Sequence, residues 1–405
     1  MGPNPVSWQD KALSDCAVFQ SGGTPNKGRP EYWGGTIPWV SSGEMTTQFI
    51  EDTSLHITEA GAAAGSRLVP AGTVFAVVRG MSLAKEFRLS YATREMAFNQ
   101  DLKALTAKEG IDSYFLFSAL RAHAPEICEL ATEAAHGTKK LEMERLQSFR
   151  IRIPTFEQQL RIADEIRNFD DLIGCNLRRM ALLEESARLM YREWFLCCRF
   201  PGVDSQANGT ALPNGWALGS TAGLASSVNR GIAPRYDENA SGLVINQKCI
   251  RGGRLSMDAA RRQSKEVMAD RQVKVGDVLI NSTGAGTLGR VAQVRLPLQN
   301  CTVDTHVTIV RPKDPKAAAY LGVALLAQEA LLSTMGVGAT NQLELGRADI
   351  STLPLLIPPE ELRTAFHELV WPIFTQAETL ARSNENLKQA RDGLLPKLIS
   401  GELTV

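Results

Sequence analysis

Two long stretches of the chain carry apolar residues at alternating steps of three and four positions. The first begins near Phe156 and ends near Phe195, and the second begins after Pro359. This spacing keeps the apolar positions on one side of a helix and is typical of helices that pack as a supercoiled pair. We therefore predict two long paired helices. The positions expected to face the partner helix form a seam. The seam of the first helix consists of Ile162, Ile166, Phe169, Ile173, Asn176, Met180, Leu183, Ala187, Met190 and Trp194. The seam of the second helix consists of Leu362, Phe366, Leu369, Ile373, Gln376, Leu380, Ser383, Leu387, Ala390 and Leu394.

Polar residues interrupt both seams. Asn176 lies on the first seam, and Gln376 and Ser383 lie on the second. A lone polar residue in such a seam fixes the register of the pair at some cost in stability, so we interpret these residues in that way. We also expect Pro372 to kink or split the second helix, because proline removes a backbone donor.

The chain repeats its own pattern with a period of about 200 residues. Each long helix follows a short motif that ends in Ile-Pro, at Pro154 and at Pro358. The segment 276–281 matches 72–77, and a helical piece at 317–334 matches one that begins at 113. The repeat therefore predicts two similar halves, each made of a globular domain followed by a long helix.

The globular segments show short β-branched and aromatic runs between glycine-rich and proline-rich turns. This pattern predicts an α+β fold with mostly antiparallel sheets. The predicted organisation is a first domain at 1–153, a helix at 154–200, a second domain at 201–357 and a helix at 358–405. Two similar domains beside a rigid helical pair suit a duplex ligand with two half-sites.

Composition narrows the class of protein. The chain has 44 basic and 44 acidic residues, which argues against a protein that coats nucleic acid without specificity. No apolar run has the length that a membrane span needs, and the first residues lack a basic start and an apolar core. Seven cysteines without a CxxC pair favour reduced thiols. We expect a cytoplasmic protein.

The sequence contains one formal dinucleotide-binding motif, GxGxxG at 284–289, after a predicted strand. A nucleotide site would need a helix to begin at these glycines, whereas residues 290–296 alternate as a strand does. A glycine-rich hairpin loop is the better interpretation. No nucleophile motif or HExxH pattern is present, and the five histidines lack metal-ligand spacing. We predict neither a catalytic centre nor a metal site.

Polar side chains in the glycine-rich loops of both halves are candidates for contact with DNA. Arginine and lysine suit guanine or phosphate, and asparagine and glutamine suit adenine. In the first half the candidates are Ser41, Ser42, Arg79, Lys85, Arg88, Asn99, Gln100, Lys139 and Lys140. In the second half they are Arg230, Asn246, Gln247, Lys248, Arg251, Asn281, Thr283, Arg290, Asn341 and Gln342.

Several stretches, together with the repeat, resemble the specificity subunits of type I restriction–modification systems. The resemblance covers nearly the whole chain. The stretches that carry it are 21–25, 32–39, 276–284, 357–359 and 390–403.

This resemblance implies two target-recognition domains, each reading half of a bipartite DNA site, held apart by two antiparallel helices. It implies a non-catalytic subunit without a cofactor of its own. The implied partners are double-stranded DNA, two methyltransferase subunits that carry S-adenosylmethionine, and a restriction subunit that uses ATP and Mg. No membrane partner is implied.

Two other classes of function remain open from the residues alone. A coiled-coil protein-interaction scaffold would show no sequence-dependent retention of DNA. An enzyme with a site in the glycine-rich loops would lose a nucleotide-dependent turnover on Gly286→Ala.

Overall fold

The computed structural model describes residues 8–134, 138–201, 212–338 and 343–405. The chain divides into two compact units, named here unit 1 and unit 2. Unit 1 comprises Met1–Gly174 and Asn384–Val405, and unit 2 comprises Cys175–Ser383. Both divisions fall inside long helices. Each unit therefore contains a globular domain together with one part of each long helix.

Unit 1 is an α+β assembly of short strands and short helices. Its strands are β1 Gln9–Ala12, β2 Ala17–Ser21, β3 Trp33–Val40, β4 Phe49–Ile50, β5 His56–Ile57, β6 Leu68–Val69, β7 Val74–Val77, β8 Arg79–Gly80, β9 Leu89–Ala92, β10 Met96–Phe98, β11 Leu102–Ala107, β12 Thr132–Glu133, β13 Lys139–Lys140 and β14 Arg150–Ile153. Its helices are α1 Leu13–Cys16, α2 Glu59–Gly65, α3 Ser113–Ala122, α4 Ala124–Glu129 and α5 Met143–Ser148, followed by the long helix α6 Phe156–Tyr191, which continues into unit 2.

Most strand pairs of unit 1 are antiparallel, as predicted. The five-stranded sheet has the order β2-β11-β7-β9-β4, and the four-stranded sheet has the order β5-β3-β10-β6. The pairs β3–β10 and β4–β9 are parallel. A three-stranded ribbon has the order β12-β13-β8, and β1 pairs with β14 just before α6 begins.

Unit 2 repeats this plan. Its strands are β15 Ala217–Ser220, β16 Ala225–Arg230, β17 Gly242–Ile245, β18 Ile250–Arg251, β19 Arg254–Leu255, β20 Arg261–Gln263, β21 Val278–Asn281, β22 Val291–Gln293, β23 Cys301–Val303, β24 Val307–Pro312 and β25 Pro354–Ile357. Its helices are α7 Thr221–Leu224, α8 Ala318–Ala327, α9 Glu329–Thr334, α10 Arg347–Thr352 and the long helix α11 Glu360–Ser400, which continues into unit 1. A π-helical turn, Arg192–Leu196, follows α6.

The sheet order β16-β24-β21-β22 corresponds to β2-β11-β7-β9 of unit 1, and the pair β15–β25 corresponds to β1–β14. Glycine follows the first sheet strand in both units for the same steric reason. A Cβ atom on Gly22 would lie 2.2 Å from the Phe98 carbonyl oxygen, and one on Gly231 would lie 2.1 Å from the Asp304 carbonyl oxygen. Only glycine permits this close approach of two backbones. The predicted internal repeat is confirmed.

The two long helices pair in each unit. In unit 1, Ile162 and Ile166 of α6 share one buried core with Leu395 and Leu398 of α11. In unit 2, Tyr191 of α6 and Phe366 of α11 have their ring centroids 6.3 Å apart, and both belong to one core. Within unit 1, Asp170 of α6 pairs with Arg391 of α11, whereas Ile173, further along α6, accepts a hydrogen bond from Asn384, earlier in α11, so the pairing there is antiparallel.

The seam of α6 follows the prediction closely. Ile162, Ile166, Ile173, Asn176, Met180, Ala187 and Trp194 are buried, while Phe169, Leu183 and Met190 are half-buried.

The predicted seam of α11 is out of register in its first half. Leu369 is 53% exposed and Gln376 is also exposed. The buried positions are instead Phe366, Val370, Phe374 and Ala377, whose steps of four, four and three follow an 11-residue repeat. From Ala377 the buried positions recur every seven residues, at Asn384, Arg391 and Leu398. The other predicted residues, Leu362, Ile373, Leu380, Ser383, Leu387 and Leu394, are half-buried, and Ala390 is exposed.

The prediction that Pro372 splits the second helix is wrong. Helix α11 continues through Pro372 without a break, and this residue is exposed. Val370 and Phe374 are packed into the core on either side, and most helical stability in proteins comes from such packing. The missing backbone hydrogen bond is therefore tolerated.

Candidate nucleic-acid interface

In unit 1, four of the candidate residues meet at one sheet edge. Strands β3 and β10 are parallel, so Ser41 and Ser42 leave the sheet at the same end as Asn99 and Gln100. Asn99 is only 6% exposed, and its side-chain oxygen accepts the backbone N–H of Asp101 at 3.1 Å. It shapes the turn, whereas Gln100 is exposed on the same edge.

The ribbon of unit 1 (β8, β12 and β13) brings together three other candidates. Arg79 lies directly opposite Lys140, and Lys139 lies opposite Gly80. Lys85 is exposed in the segment after β8, and Arg88 forms an ion pair with Glu86 there. Basic side chains are thus concentrated around this ribbon.

In unit 2, Arg230 is held within the fold. Its guanidinium donates to the carbonyl oxygen of Leu345 at 2.8 Å and to that of Thr305 at 3.2 Å. It also forms an ion pair with Glu344 at 3.0 Å. Arg230 therefore connects the end of β16 to two distant loops.

The amide candidates of unit 2 also bond within the chain. Asn281 is fully buried, and its amide nitrogen donates to the Gln247 carbonyl oxygen at 2.9 Å. The Asn246 amide donates to the Ala259 carbonyl oxygen, and its oxygen accepts the Lys248 backbone N–H at 2.9 Å. Lys248 and Arg251 are exposed on the same segment and are available for contact.

The glycine-rich segment 282–290 joins β21 to β22, which pair antiparallel with Ile280 opposite Val291. It is a hairpin loop, as predicted, and no helix begins at its glycines. The Thr283 hydroxyl bonds to the His306 ring nitrogen at 2.6 Å, and Arg290 donates to the Gly286 carbonyl oxygen at 2.8 Å. Asn341 and Gln342 lie outside the described residues.

A buried charge network in unit 1 escaped the sequence prediction. Asp170 of α6 is 4% exposed and accepts hydrogen bonds from Tyr114 at 2.7 Å and Arg121 at 2.8 Å. Its other oxygen pairs with Arg391 of α11. Burial, together with the Asp170 charge, raises the pKa of Tyr114. The network connects the globular domain to both long helices.

A second network lies in unit 2. Glu184 of α6 accepts both Nε and one terminal nitrogen of Arg254 at 2.8 Å each, the strong fork geometry of arginine–carboxylate pairs. Arg295 lies 3.2 Å from Glu184 and 3.5 Å from Glu378 of α11. Burial raises the pKa of Glu378, while Arg295 and Arg254 oppose that shift. The sequence signals each network only by a charged residue, Asp170 or Glu184, that lies three or four positions from apolar seam residues.

Within the described residues, no cluster of three or more His, Cys, Asp or Glu side chains is placed to hold a metal ion. In the same part of the chain, no helix is both long and apolar enough to cross a bilayer.

Comparison with known proteins shows what this chain is similar to. The family model of the type I restriction modification DNA specificity domain matches residues 5–185. The MjaIX type I restriction enzyme specificity subunit of Methanocaldococcus jannaschii is 26% identical over 422 residues, which cover 100% of this chain and 95% of that protein. The EcoR124I/EcoR124II specificity subunit of Escherichia coli is 28% identical over 208 residues, which cover 50% of each chain.

A solved structure shares the fold. The type I restriction–modification S subunit of M. genitalium aligns over 98% of both chains, with a TM-score of 0.63 and 14% sequence identity. Over its whole length the chain is similar to specificity subunits of type I restriction–modification systems. The predicted resemblance and the α+β class are confirmed.

Proposed function

We propose that this chain reads a bipartite DNA site, with one half-site read by each globular domain. The observation that carries the proposal is the repeated sheet order in units 1 and 2, since two similar domains suit two blocks of one duplex. Exposed polar residues in both units support it, including Gln100 in unit 1 and Lys248 and Arg251 in unit 2.

We also propose that the long helices carry two methyltransferase subunits and that a restriction subunit joins them. Helix α6 supports a docking role because Leu182 and Leu189, which are seven positions apart and therefore on one face of the helix, are 69% and 40% exposed. Exposed apolar side chains on a surface otherwise rich in charge are typical of contact sites. In this proposal S-adenosylmethionine belongs to the methyltransferase, and ATP and Mg belong to the restriction subunit. This chain holds no cofactor.

Selection of oligonucleotides from a random duplex pool tests the proposal. The chain is assembled with its methyltransferase partner, and the retained duplexes are sequenced. We expect two short constant blocks on either side of a run of unspecified bases of fixed length. Retention without sequence preference would favour the interaction scaffold, and a single continuous block would exclude one half-site per domain.

A further inference from the structure

One face of the ribbon of unit 1 carries two positive charges. Strand register places Arg79 opposite Lys140 and Lys140 opposite Thr132. Neighbouring side chains along a strand point to opposite faces. Lys139 therefore lies on the other face, where Glu133 is its cross-strand neighbour. One face is cationic, and the other combines a cation with an acid.

The cationic face has an energetic cost in the isolated protein. Like charges placed directly opposite in a strand pair destabilise it. Lys140 is partly compensated by Glu142, 3.0 Å away, but both side chains are 47% exposed and such a pair contributes little. Arg79 is exposed and, among the described residues, has no carboxylate within 4.0 Å. An anionic ligand would offset this cost.

At the described equivalent positions of unit 2 the cations are replaced by a neutral residue and an acid. There Glu344 bridges to Thr283 on one side and to Val337 on the other, in the places of Lys140, Arg79 and Thr132. Glu344 also pairs with Arg230 at 3.0 Å. Two cations on one face of unit 1 thus correspond to one neutralised acid in unit 2.

We propose that Arg79 and Lys140 bind phosphates of the DNA half-site read by unit 1, and that the ribbon of unit 2 makes no such contact. The inference rests on the proposed DNA-reading function. Phosphate is favoured because arginine presents a planar fork that matches it and lysine presents a point charge. Phosphate contacts from this ribbon therefore contribute to binding of the half-site read by unit 1 and not to binding of the half-site read by unit 2.

The salt dependence of binding tests this inference. The chain, assembled with its methyltransferase subunits, is titrated with a duplex carrying the selected site over a series of salt concentrations. Each phosphate contact contributes a slope of about 0.9 in log K against log salt. We expect R79Q/K140Q to lower the slope by about 1.8 and hydroxyl-radical footprinting to show weaker protection of one block only.

Two variants are matched controls. K139Q removes the same charge from the adjacent residue, which lies beside Glu133 on the other face of the ribbon and takes no part in the proposed contact, and E344Q removes the acid from the equivalent position of unit 2. Both are expected to keep the slope of the unchanged protein to within about half a contact.

Three results would overturn the inference. The first is an unchanged slope in R79Q/K140Q, and the second is an equal loss in K139Q, which would indicate net charge alone. The third is weaker association with the methyltransferase at an unchanged DNA slope, which would assign the face to an acidic protein surface. The slopes are also measured on a duplex of unrelated sequence. Failure of sequence reading is thereby separated from failure of the phosphate contact.

Discussion

Asp170 is a buried carboxylate whose oxygens serve Tyr114, Arg121 and Arg391. Removing one partner of a buried pair leaves the remaining charges without compensation, which costs about 3 to 5 kcal/mol. We therefore expect Asp170→Asn to lower the free energy of unfolding of unit 1 by that amount, measured by urea denaturation. Asp171→Asn, a change at the exposed neighbour, is the control and is expected to stay within about 0.5 kcal/mol. Equal stabilities of the two variants would refute the role of the network.

His367 makes unit 2 sensitive to pH. Its Nδ1 accepts the backbone N–H of Ala319, in the first turn of α8, at 3.2 Å, and its ring stacks on Trp371. Burial lowers the pKa of His367, although Asp314 and Glu368 act in the opposite direction. Because the pKa is lowered by folding, His367 binds a proton more readily in the unfolded chain than in the folded chain as the pH falls. The stabilisation is thus present above pH 6.5 and is lost as the pH falls through and below that value.

Replacement of His367 by Asn tests this expectation, because Asn keeps a hydrogen-bond acceptor but does not titrate. Thermal unfolding is followed from pH 7.5 to pH 5 for both proteins. The unchanged protein should lose more stability than His367→Asn over this interval. Parallel curves would show that His367 stays neutral or contributes nothing.

Side-chain roles were the least predictable feature of the site. Residue type correctly marked Asn99, Arg230 and Asn281 as hydrogen-bonding groups, but all three bond within the chain. Their hydrogen-bond partners lie in segments that only the folded chain brings together. Arg230, at the end of β16, for example donates to the carbonyl oxygen of Leu345. A single sequence carries no signal of that meeting. The exposed candidates Gln100, Lys248 and Arg251 look the same in the sequence as the buried ones.

Among the elements, the long helices were the most predictable because their periodicity extends over many turns. The error in α11 arose where the buried positions change from an 11-residue repeat to a seven-residue repeat after Ala377. A strict heptad placed Leu369 and Gln376 on the wrong side. The two-residue strands of the ribbon could not be predicted, because so short a run has no period.

The glycine-rich hairpin loop provides a test at the level of one element. Gly286 and Gly289 both have positive φ, at 72° and 78°. A Cβ atom on Gly286 would meet nothing within 4 Å, whereas one on Gly289 would lie 2.4 Å from the Ser333 backbone nitrogen. Gly286→Ala should therefore cost only the backbone strain, about 1 to 2 kcal/mol, and Gly289→Ala on the order of 3 kcal/mol or more. Chemical denaturation of unit 2 measures both, and a larger loss for Gly286→Ala would show that the loop packs differently.

For the whole molecule, the internal repeat was predictable from short motifs at equivalent positions. The match of 72–77 to 276–281 became the central strands β7 and β21 of corresponding sheets. The division of the chain inside α6 and α11 was not anticipated, because each helix packs with two domains that are far apart in sequence. Sequence order alone suggested separate helical segments.

The proposed reading of two half-sites requires the paired helices to set the distance between them, and lengthening both helices together tests this requirement. Four residues are inserted after Gly174 and four before Asn384, and a second variant receives seven at each place to keep the heptad phase. At 1.5 Å per helical residue these additions are about 6 Å and 10.5 Å, or roughly one to two and about three base pairs of 3.4 Å. Oligonucleotide selection should return the same two blocks with the unspecified run lengthened by one or two base pairs and by three. The same blocks with an unchanged run would contradict the account.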